Sequence, residues 1–394
     1  MMLSRSCVQK GVVVMSRDLM RAPARRRTLH AAIYLLLSLL AGVFELGVVM
    51  SAIREGAPPV AFLVLALAYQ CGALLREPIA LTGRYYRLIL LVALVAAVYP
   101  DRGPWLLVAT VFLISVGLQG IREEALQGRR VGTFAKRASR IVGFVGAGFF
   151  SLNMLALVPA VVLALAIILN VAGSVMTEDV RLLKPRHLGT ADVAMIVHQA
   201  HYFTYAYMIP FLFTHEHGFS GVMAGLAFAV GWVSYSMTPL LLGRVSVLPV
   251  VLIGHSVVAL SLMTIMVDGG SLQVLLIAWF VSGFGGGSVF GIRRLAELWA
   301  AGKQADGMDT WENIGHVLGV GSAIAVSAMT GQVGLVFFAA SVFALVTMFV
   351  VGAAALAGSI QKNRRAATFP IGVAGQTDDV RLRDRAAGDP DESR

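Results

Sequence analysis

Long apolar stretches recur along the whole chain and constrain its fold more than any other feature. There are twelve, at 30–53, 59–80, 87–100, 105–122, 140–157, 158–176, 191–213, 219–242, 246–267, 271–293, 313–330 and 332–357. Most hold about 18–25 residues, enough for a helix to cross a bilayer core of about 30 Å. Hydrophobic residues make up 57% of the chain and charged residues 14%, against about 45–50% and about 25% in soluble domains. The sequence therefore predicts an all-α integral membrane protein with twelve transmembrane helices.

The positions of the basic residues indicate how the chain crosses the membrane. The chain has 32 Lys and Arg residues and a formal net charge of +10. We assign the ends and loops of the chain alternately to the two sides of the membrane. Only two of the basic residues, Arg54 and Arg102, then fall on one side, and all the others fall on the opposite side. Cytoplasmic loops are enriched in Lys and Arg. This pattern predicts an even number of spans with both termini in the cytoplasm, and it attributes the positive charge to topology rather than to nucleic-acid binding.

Three short patterns occur twice, in the same order, in the two halves of the chain. Gly120–Ile121–Arg122 recurs as Gly291–Ile292–Arg293. The set of Pro78, Gly83 and Arg84 recurs as Pro239, Gly243 and Arg244. The set of Ile141, Gly146 and Gly148 recurs as Ile314, Gly319 and Gly321. Self-similar halves in an apolar chain are typical of secondary transporters, whose substrate sites lie where the halves meet.

The repeat and the polar segments divide the chain into five predicted parts. We expect a cytoplasmic arm at 1–29, a six-helix bundle at 30–176, a cytoplasmic linker at 177–190, a second six-helix bundle at 191–357 and a disordered cytoplasmic tail at 358–394. Either Met1 or Met15 can be the true start of the protein.

Six spans, a cytoplasmic link and six related spans resemble the major facilitator superfamily over almost the whole membrane part. That family has a loop motif between helices 2 and 3, repeated between helices 8 and 9, which contains an Asp and ends in Gly-Arg. Gly83–Arg84 and Gly243–Arg244 lie in those two loops, whereas Ala80 stands at the Asp position. The resemblance implies two pseudo-symmetric six-helix bundles, and the degenerate motif identifies no subfamily.

The resemblance also implies a gate at the cytoplasmic side. In the family, an Arg of helix 4 joins the acidic residue of the loop motif. Glu77 can replace the missing acid, and Arg122 is placed to join it. We therefore expect a latch between Glu77 and Arg122, with Arg293 as the repeat of Arg122. For Gly83–Arg84 and Gly243–Arg244, the alternative is that the arginines only set the topology. For Arg122, the alternative is a solvated loop between helices 4 and 5, to which the sequence also assigns Lys136 and Arg137.

Glu45 is the strongest candidate for a functional side chain. It lies about fifteen residues, or roughly 22 Å, into the first stretch and has apolar neighbours on both sides. An ionisable group at this depth costs about 2.5–3.5 kcal/mol, so it normally faces a cavity or a partner. Low-dielectric surroundings disfavour its charged form. We predict that Glu45 carries protons or contacts a cationic substrate; the alternative is a protonated Glu bonded to a neighbouring helix.

The seventh stretch carries His198, His201, Tyr202 and Tyr205 at helical spacings. We expect this face to line the cavity between the halves and to bind a polar, aromatic or metal-complexed solute. The alternative is a hydrogen-bonding seam between helices. Because neither histidine has a carboxylate at helical spacing, we predict no metal site there, and we expect the single His255 of the ninth stretch to be structural.

Gly283, Gly287 and Gly291 are spaced by four residues, which is typical of close packing between membrane helices. The glycine-rich segment resembles a nucleotide-binding loop, but no β-strand pattern precedes it. We therefore expect no cofactor and no direct use of ATP.

Together, these features predict a secondary active transporter of a small organic solute in the cell's inner membrane. We expect a monomer that works by alternating access, with the solute, protons and the lipid bilayer as its partners. Proton-coupled efflux, of a siderophore, metallophore or drug-like molecule, is favoured over uptake because the candidate cavity groups mix aromatic rings with one acid. A transport-inactive sensor or assembly protein, or a membrane metal enzyme, is the alternative of another class.

Overall fold

A computed structural model describes ten parts of the chain: 24–76, 79–80, 83–99, 103–126, 131–171, 181–182, 188–242, 246–268, 270–299 and 308–368. Glu77, Gly243 and Arg244 lie outside the described residues, and so does the predicted contact between Glu77 and Arg122.

The described residues are almost entirely helical. The α-helices are α1 Ala24–Arg54, α2 Pro59–Arg76, α3 Gly83–Val98, α4 Pro104–Leu126, α5 Thr133–Gly146, α6 Leu157–Val171, α7 Thr190–Tyr205, α8 Met208–Phe211, α9 Gly221–Leu242, α10 Val247–Asp268, α11 Leu272–Gly286, α12 Val289–Trp299, α13 Met308–Thr330 and α14 Val333–Thr368. Two short strands, β1 Ile79–Ala80 and β2 Arg181–Leu182, pair antiparallel, with Ile79 opposite Leu182.

Each predicted apolar stretch coincides with a helix or with a pair of shorter helical segments. Eight helices among the described residues are long and apolar enough to cross a membrane. The prediction of an all-α membrane protein is therefore confirmed, whereas the count of twelve crossings and the side of the termini stay predictions. The described residues through Val351 form one compact unit, and those from Gly352 onward form another.

The break between the fifth and sixth stretches lies before Pro159. Helix α5 ends at Gly146, and two 3-10 turns, Ala147–Phe149 and Leu152–Met154, precede α6. Pro159 lies in the first turn of α6, where its missing amide removes no helical hydrogen bond.

Two charged segments that the sequence assigned to a loop are helical. Helix α4 continues to Leu126, and α5 begins at Thr133, so Lys136 and Arg137 belong to its first turns. The apolar pattern missed these turns because their cavity-facing side chains are charged. The loop interpretation of Lys136 and Arg137 was wrong, and this correction determines the character of the site.

Helix packing repeats between the two halves. Helix α1 packs on α5, and α7 packs in the same way on α13. A glycine lies at each crossing: a Cβ atom on Gly143 would be 2.3 Å from the carbonyl oxygen of Leu39, and one on Gly315 would be 2.5 Å from that of Ile196. Across the halves, α2 packs on α13 and α9 packs on α5. The glycines thus hold equivalent helix pairs together in both repeats.

Candidate substrate cavity

A cavity with two lobes lies where the helices of the two halves meet. One lobe has a volume of about 310 Å³ and the other of about 280 Å³. Small-molecule sites span about 300–1,000 Å³, so the two lobes together have room for a small solute. The residues that line both lobes are Tyr34, Arg122, Lys136, Arg140, Glu312 and His316.

Aromatic side chains form much of the larger lobe, which we call the aromatic lobe. They are Tyr202, Phe203, Trp232, Tyr235 and Phe290, together with the shared Tyr34. Ring centroids are 5.7 Å apart for Tyr202 and Trp232 and 5.3 Å apart for Trp232 and Tyr235. These are edge-on or tilted contacts, which fix the rings in place and leave their remaining faces to the cavity.

Amide and hydroxyl groups line the smaller lobe, which we call the polar lobe. Gln70, Gln119 and Asn313 contribute side chains to it. The side-chain amide of Gln119 donates a hydrogen bond of 2.9 Å to the hydroxyl of Tyr69, while its own carbonyl oxygen is buried without a partner among the described residues. The polar lobe is therefore lined by amide side chains of a kind that hydrogen-bonds polar solutes.

Five basic side chains in the described part of the chain line the cavity. They are Arg122, Lys136, Arg137, Arg140 and Arg293. Three of them come from α5, where Arg140 follows Lys136 by four residues and Arg137 by three, spacings that place it on the same side of the helix as each of them. Lys136 lies 5.2 Å from the ring centroid of Tyr34, and Arg137 lies 4.0 Å from that of Phe290.

Glu45 lies beside the cavity in a network of four side chains, which we call the Glu45 network. Arg140 donates to its Oε2 at 2.5 Å, Gln70 to its Oε1 at 3.1 Å and Tyr207 to the same oxygen at 2.9 Å. The sequence correctly required a partner or a cavity for this acid but did not name Arg140. Arg140 went unnoticed because it stands at the edge of an apolar stretch and was counted among the loop cations.

Tyr207 brings the second half of the chain into this network. It lies in the interruption between α7 and α8, three residues before Pro210. Because Pro210 has no amide to donate, the helix cannot continue regularly through this point. The buried Tyr207 hydroxyl also accepts a hydrogen bond of 2.6 Å from Gln70. The network thus connects α1, α2 and α5 with the second repeat.

The predicted histidine and tyrosine face does not line the cavity as a unit. Tyr202 lines the aromatic lobe, whereas Tyr205 shares a hydrogen bond of 2.6 Å with Ser282 of α11. His198 Nδ1 lies 2.8 Å from Nε2 of His255 on α10. Of the four, only Tyr202 lines the lobes, because consecutive residues on a helix point about 100° apart and His201 and Tyr202 therefore diverge. The contacts of His198 and Tyr205 are those of the alternative, a hydrogen-bonding seam between helices.

Three buried histidines, His198, His201 and His255, meet between α7 and α10, with one ring nitrogen of each within 4.8 Å of the others. The sequence treated His255 as isolated because the two helices are far apart along the chain. Two nitrogens on a tetrahedral zinc ion would be about 3.3 Å apart, but those of His198 and His255 are hydrogen-bonded at 2.8 Å. Since Nδ1 of His255 donates to the carbonyl of Val251 at 2.7 Å, its Nε2 accepts the proton of His198. This geometry is that of a hydrogen-bonded seam.

The predicted gating residues lie in different surroundings. Arg122, at the end of α4, is 3.8 Å from its neighbour Glu123. Its repeat, Arg293, donates from Nε to Glu312 at 3.0 Å. Gly83 begins α3, and Arg84 is exposed.

The predicted glycine stripe packs against two helices. A Cβ atom on Gly283 would lie 2.1 Å from the carbonyl oxygen of Gly231, and one on Gly287 would lie 2.3 Å from Oγ1 of Thr238, both on α9. Gly291 instead faces Val251 of α10. The stripe divides because the helix is interrupted between α11 and α12.

The two halves touch at the other end of the cavity helices. The rings of Phe62 and Phe211 stack with centroids 5.6 Å apart, and Gly148 packs directly on the backbone of Gly221. At this end, Arg54 also donates a hydrogen bond of 2.8 Å to the carbonyl of Gly148. The cavity therefore lies toward the end at which α1 begins and α4 ends.

Comparison with known proteins supports this architecture at the level of the fold. No family model and no curated protein sequence matches the chain. Among solved structures, a bacterial homologue of the iron transporter ferroportin in the inward-facing state has a TM-score of 0.61 and 12% identity, covering 83% of this chain and 98% of that one. The nucleoside transporter NupG has a TM-score of 0.57 and 12% identity, with the same coverage. A POT family transporter has a TM-score of 0.60 and 11% identity, covering 82% and 95%. All three are named as transporters, and the protein shares their fold, which agrees with the architecture expected from its resemblance to the major facilitator superfamily.

Proposed function

We propose that this protein is a secondary transporter that moves a small organic solute by alternating access and couples it to protons. The observation that carries the proposal is the position of the Glu45 network, which joins the two halves beside a cavity between them. In this proposal, 30–176 and 191–357 are the two moving bundles, 177–190 links them, and both termini lie in the cytoplasm beneath the inner membrane.

Alternating access requires two states in which the halves separate at opposite ends. The packing of Phe62 on Phe211 closes one end, and the basic residues of α5 line a cavity toward the other. On the predicted topology the open end is the cytoplasmic one. To open the opposite end, the protein must break the bond from Tyr207 to Glu45, because this bond crosses between the halves.

Proton coupling follows from the contacts of Glu45. A proton on this carboxyl removes the charge that holds Arg140 and converts an acceptor into a donor. Both changes weaken the bonds from Arg140, Gln70 and Tyr207. Protonation of Glu45 therefore loosens a contact between the halves, which is the property required of a coupling site.

The partner of Glu45 also bears on the direction of transport. Efflux by antiport, which the sequence favoured, needs the solute and the proton to compete for Glu45. Arg140, however, lines the cavity itself, so a solute acceptor that binds Arg140 displaces Glu45, and the displaced buried carboxylate takes up a proton. Solute and proton then bind together, and we propose symport. The metallophore suggestion loses its support, because His198 and His201 face α10 instead of the cavity.

Proteoliposomes with an imposed pH gradient test this function. Uptake would be followed for a panel of radiolabelled carboxylates, nucleosides, peptides and amines, together with an internal pH dye. We expect Glu45→Gln to abolish accumulation driven by the gradient. Glu55→Gln, which removes an exposed acid just beyond α1, is the matched control and should transport normally. Full gradient-driven accumulation by Glu45→Gln would contradict the proposed coupling, and no flux of any solute would favour a sensor or assembly protein.

A further inference from the structure

Among the described residues, the cavity carries more positive charge than its own acids balance. Its five cations face two carboxylates in the lining, Glu123 and Glu312. Glu312 is bonded to Arg293, and Glu123 lies near Arg122. Arg140 is paired with Glu45 behind the lining.

Lys136 and Arg137 are the uncompensated pair. Neither makes an ion pair with a carboxylate within 4.0 Å in the described part of the chain, and each is held against an aromatic ring. Arg137 also reaches the carbonyl of Ser236 at 3.5 Å, a long and weak contact. Cations that are partly removed from water without a counterion are costly. An anionic solute would supply the missing charge.

The shared cations lie where the two lobes meet. Arg122, Lys136 and Arg140, which we call the basic strip, line both lobes. An anionic group bound there contacts the strip from the junction, while the rest of the solute extends into the lobes. Guanidinium groups bind carboxylate or phosphate oxygens through two parallel hydrogen bonds, so two arginines and a lysine suit such a group.

We propose that the solute is an organic anion with an aromatic or apolar body, whose charged group binds the basic strip. The inference rests on the proposed function only in identifying this cavity with the transport site. The body lies against Tyr202 and Trp232 in the aromatic lobe, and polar substituents reach Gln119 and Asn313 in the polar lobe. A cationic solute would meet the strip with like charge, and a neutral one would leave Lys136 and Arg137 uncompensated.

An anion bound at the basic strip also determines how Glu45 exchanges its hydrogen bonds from Arg140 for a proton. The carboxylate or phosphate of the solute takes the hydrogen bonds of Arg140, and Glu45 takes a proton as it loses them. One negative charge and one proton enter together, so transport of a monoanion is electroneutral. No covalent bond is made or broken in this exchange.

The experiment measures binding to the purified full chain in nanodiscs. The probes are benzoate and naphthoate, the matching neutral amides and the matching aminomethyl cations, which keep the ring and change only the charge. Binding is read from intrinsic tryptophan fluorescence, to which Trp232 contributes, and from the melting temperature. We expect the carboxylates to bind about 10–100-fold more tightly than the amides, the difference that a charge-assisted contact makes.

Variants then locate the anionic group. Lys136→Gln and Arg137→Gln remove cations without leaving a buried carboxylate behind, so both should fold, and each should weaken carboxylate binding about tenfold without changing amide binding. Arg294→Gln is the matched control, because Arg294 is exposed and adjoins Arg293 outside the cavity lining. The proposal is overturned if amides or amines bind as tightly as the carboxylates, if no carboxylate binds, or if Arg294→Gln has the effect of Lys136→Gln.

The failure of this inference is distinguishable from failure of the proposed function. Selective carboxylate binding without proton-driven flux in vesicles would contradict the transport function and leave the anion site standing. Proton-driven flux of a neutral or cationic solute, with no carboxylate binding, would contradict the anion site and leave the transport function standing.

Discussion

Breaking the ion pair between Glu45 and Arg140 tests the site at its centre. Arg140→Gln keeps a polar side chain but removes the charge, leaving Glu45 with the neutral donors Gln70 and Tyr207. Glu45→Gln removes the acid instead, and the double variant removes both charges. If the pair is the interaction that holds α5 on α1 at this depth, the effects of the two single changes will not add.

The expected magnitudes follow from burial. The side chain of Glu45 is 3% exposed and that of Arg140 is 29% exposed, so the acid is the more desolvated partner. Removing one partner of a buried pair costs about 3–5 kcal/mol, and we expect about 3 kcal/mol for Arg140→Gln because two donors remain. Glu45→Gln should cost about 1–2 kcal/mol, since Arg140 can turn to the water of the cavity. The double variant should cost about 2 kcal/mol, which gives a coupling energy of about 2–3 kcal/mol.

Equilibrium unfolding in mixed micelles, with dodecyl sulfate as the denaturant, measures these differences. Wild type, the two single variants and the double variant form the cycle. Glu55→Gln serves as the control and should stay within about 0.5 kcal/mol of wild type, because its acid is exposed. A coupling energy near zero would refute the assignment of the pair as a stabilising contact.

Three further predictions concern the second half of the chain. His201→Phe should leave the melting temperature unchanged or raise it, because its buried ring nitrogens have no hydrogen-bond partner among the described residues, whereas His255→Phe should cost about 1–3 kcal/mol. Added Zn²⁺ should not raise the melting temperature; a rise that His201→Phe abolishes would show a metal site instead of a seam. Gly315→Ala should destabilise α13 by about 1–3 kcal/mol, since its methyl group would meet the carbonyl of Ile196. Gly321→Ala on the same helix meets open space and should be about 0.5–1 kcal/mol more stable, which thermal unfolding can measure.

The fold could be predicted from the sequence because it depends on signals that act locally. Apolar length, basic loops and recurring glycines each belong to a single helix or turn, and a bilayer permits few alternatives to a helix at that length. Gly146 recurs as Gly319, and each of these glycines faces the equivalent neighbouring helix, α1 in the first half and α7 in the second.

The site could be predicted only in part, because its chemistry depends on contacts between helices. Depth alone identified Glu45 as needing a partner, but no periodicity connects it to Arg140. The same limit applies to His255, whose partner lies on another helix. Lys136 was not recognised as a cavity residue for a different reason. The charged side chains on the cavity face of α5 remove the apolar pattern by which the start of a membrane helix is recognised.

The two halves of the chain share their packing glycines but differ in the charged side chains that line the cavity. This difference leads to a last prediction. Arg122 and Arg293 are repeats of each other, and α5 corresponds to α13. In the second half Arg293 pairs with Glu312 of α13, whereas in the first half the corresponding helix α5 carries Lys136, Arg137 and Arg140 to the cavity. The first half therefore supplies cations where the second half supplies an acid.

If this asymmetry exists to hold an anion, Glu312 weakens anion binding by occupying Arg293 and by its own charge. Glu312→Gln should then strengthen benzoate binding about threefold to tenfold, since it removes a nearby negative charge from a cavity partly shielded from water. Lys136→Gln should do the opposite in the same assay, and benzamide should respond to neither change. Opposite effects of two neutralising substitutions on one ligand are difficult to obtain from loss of packing alone. Weakening of benzoate by both variants would mean that these charges hold the helices in place, and that the cavity does not select its solute by charge.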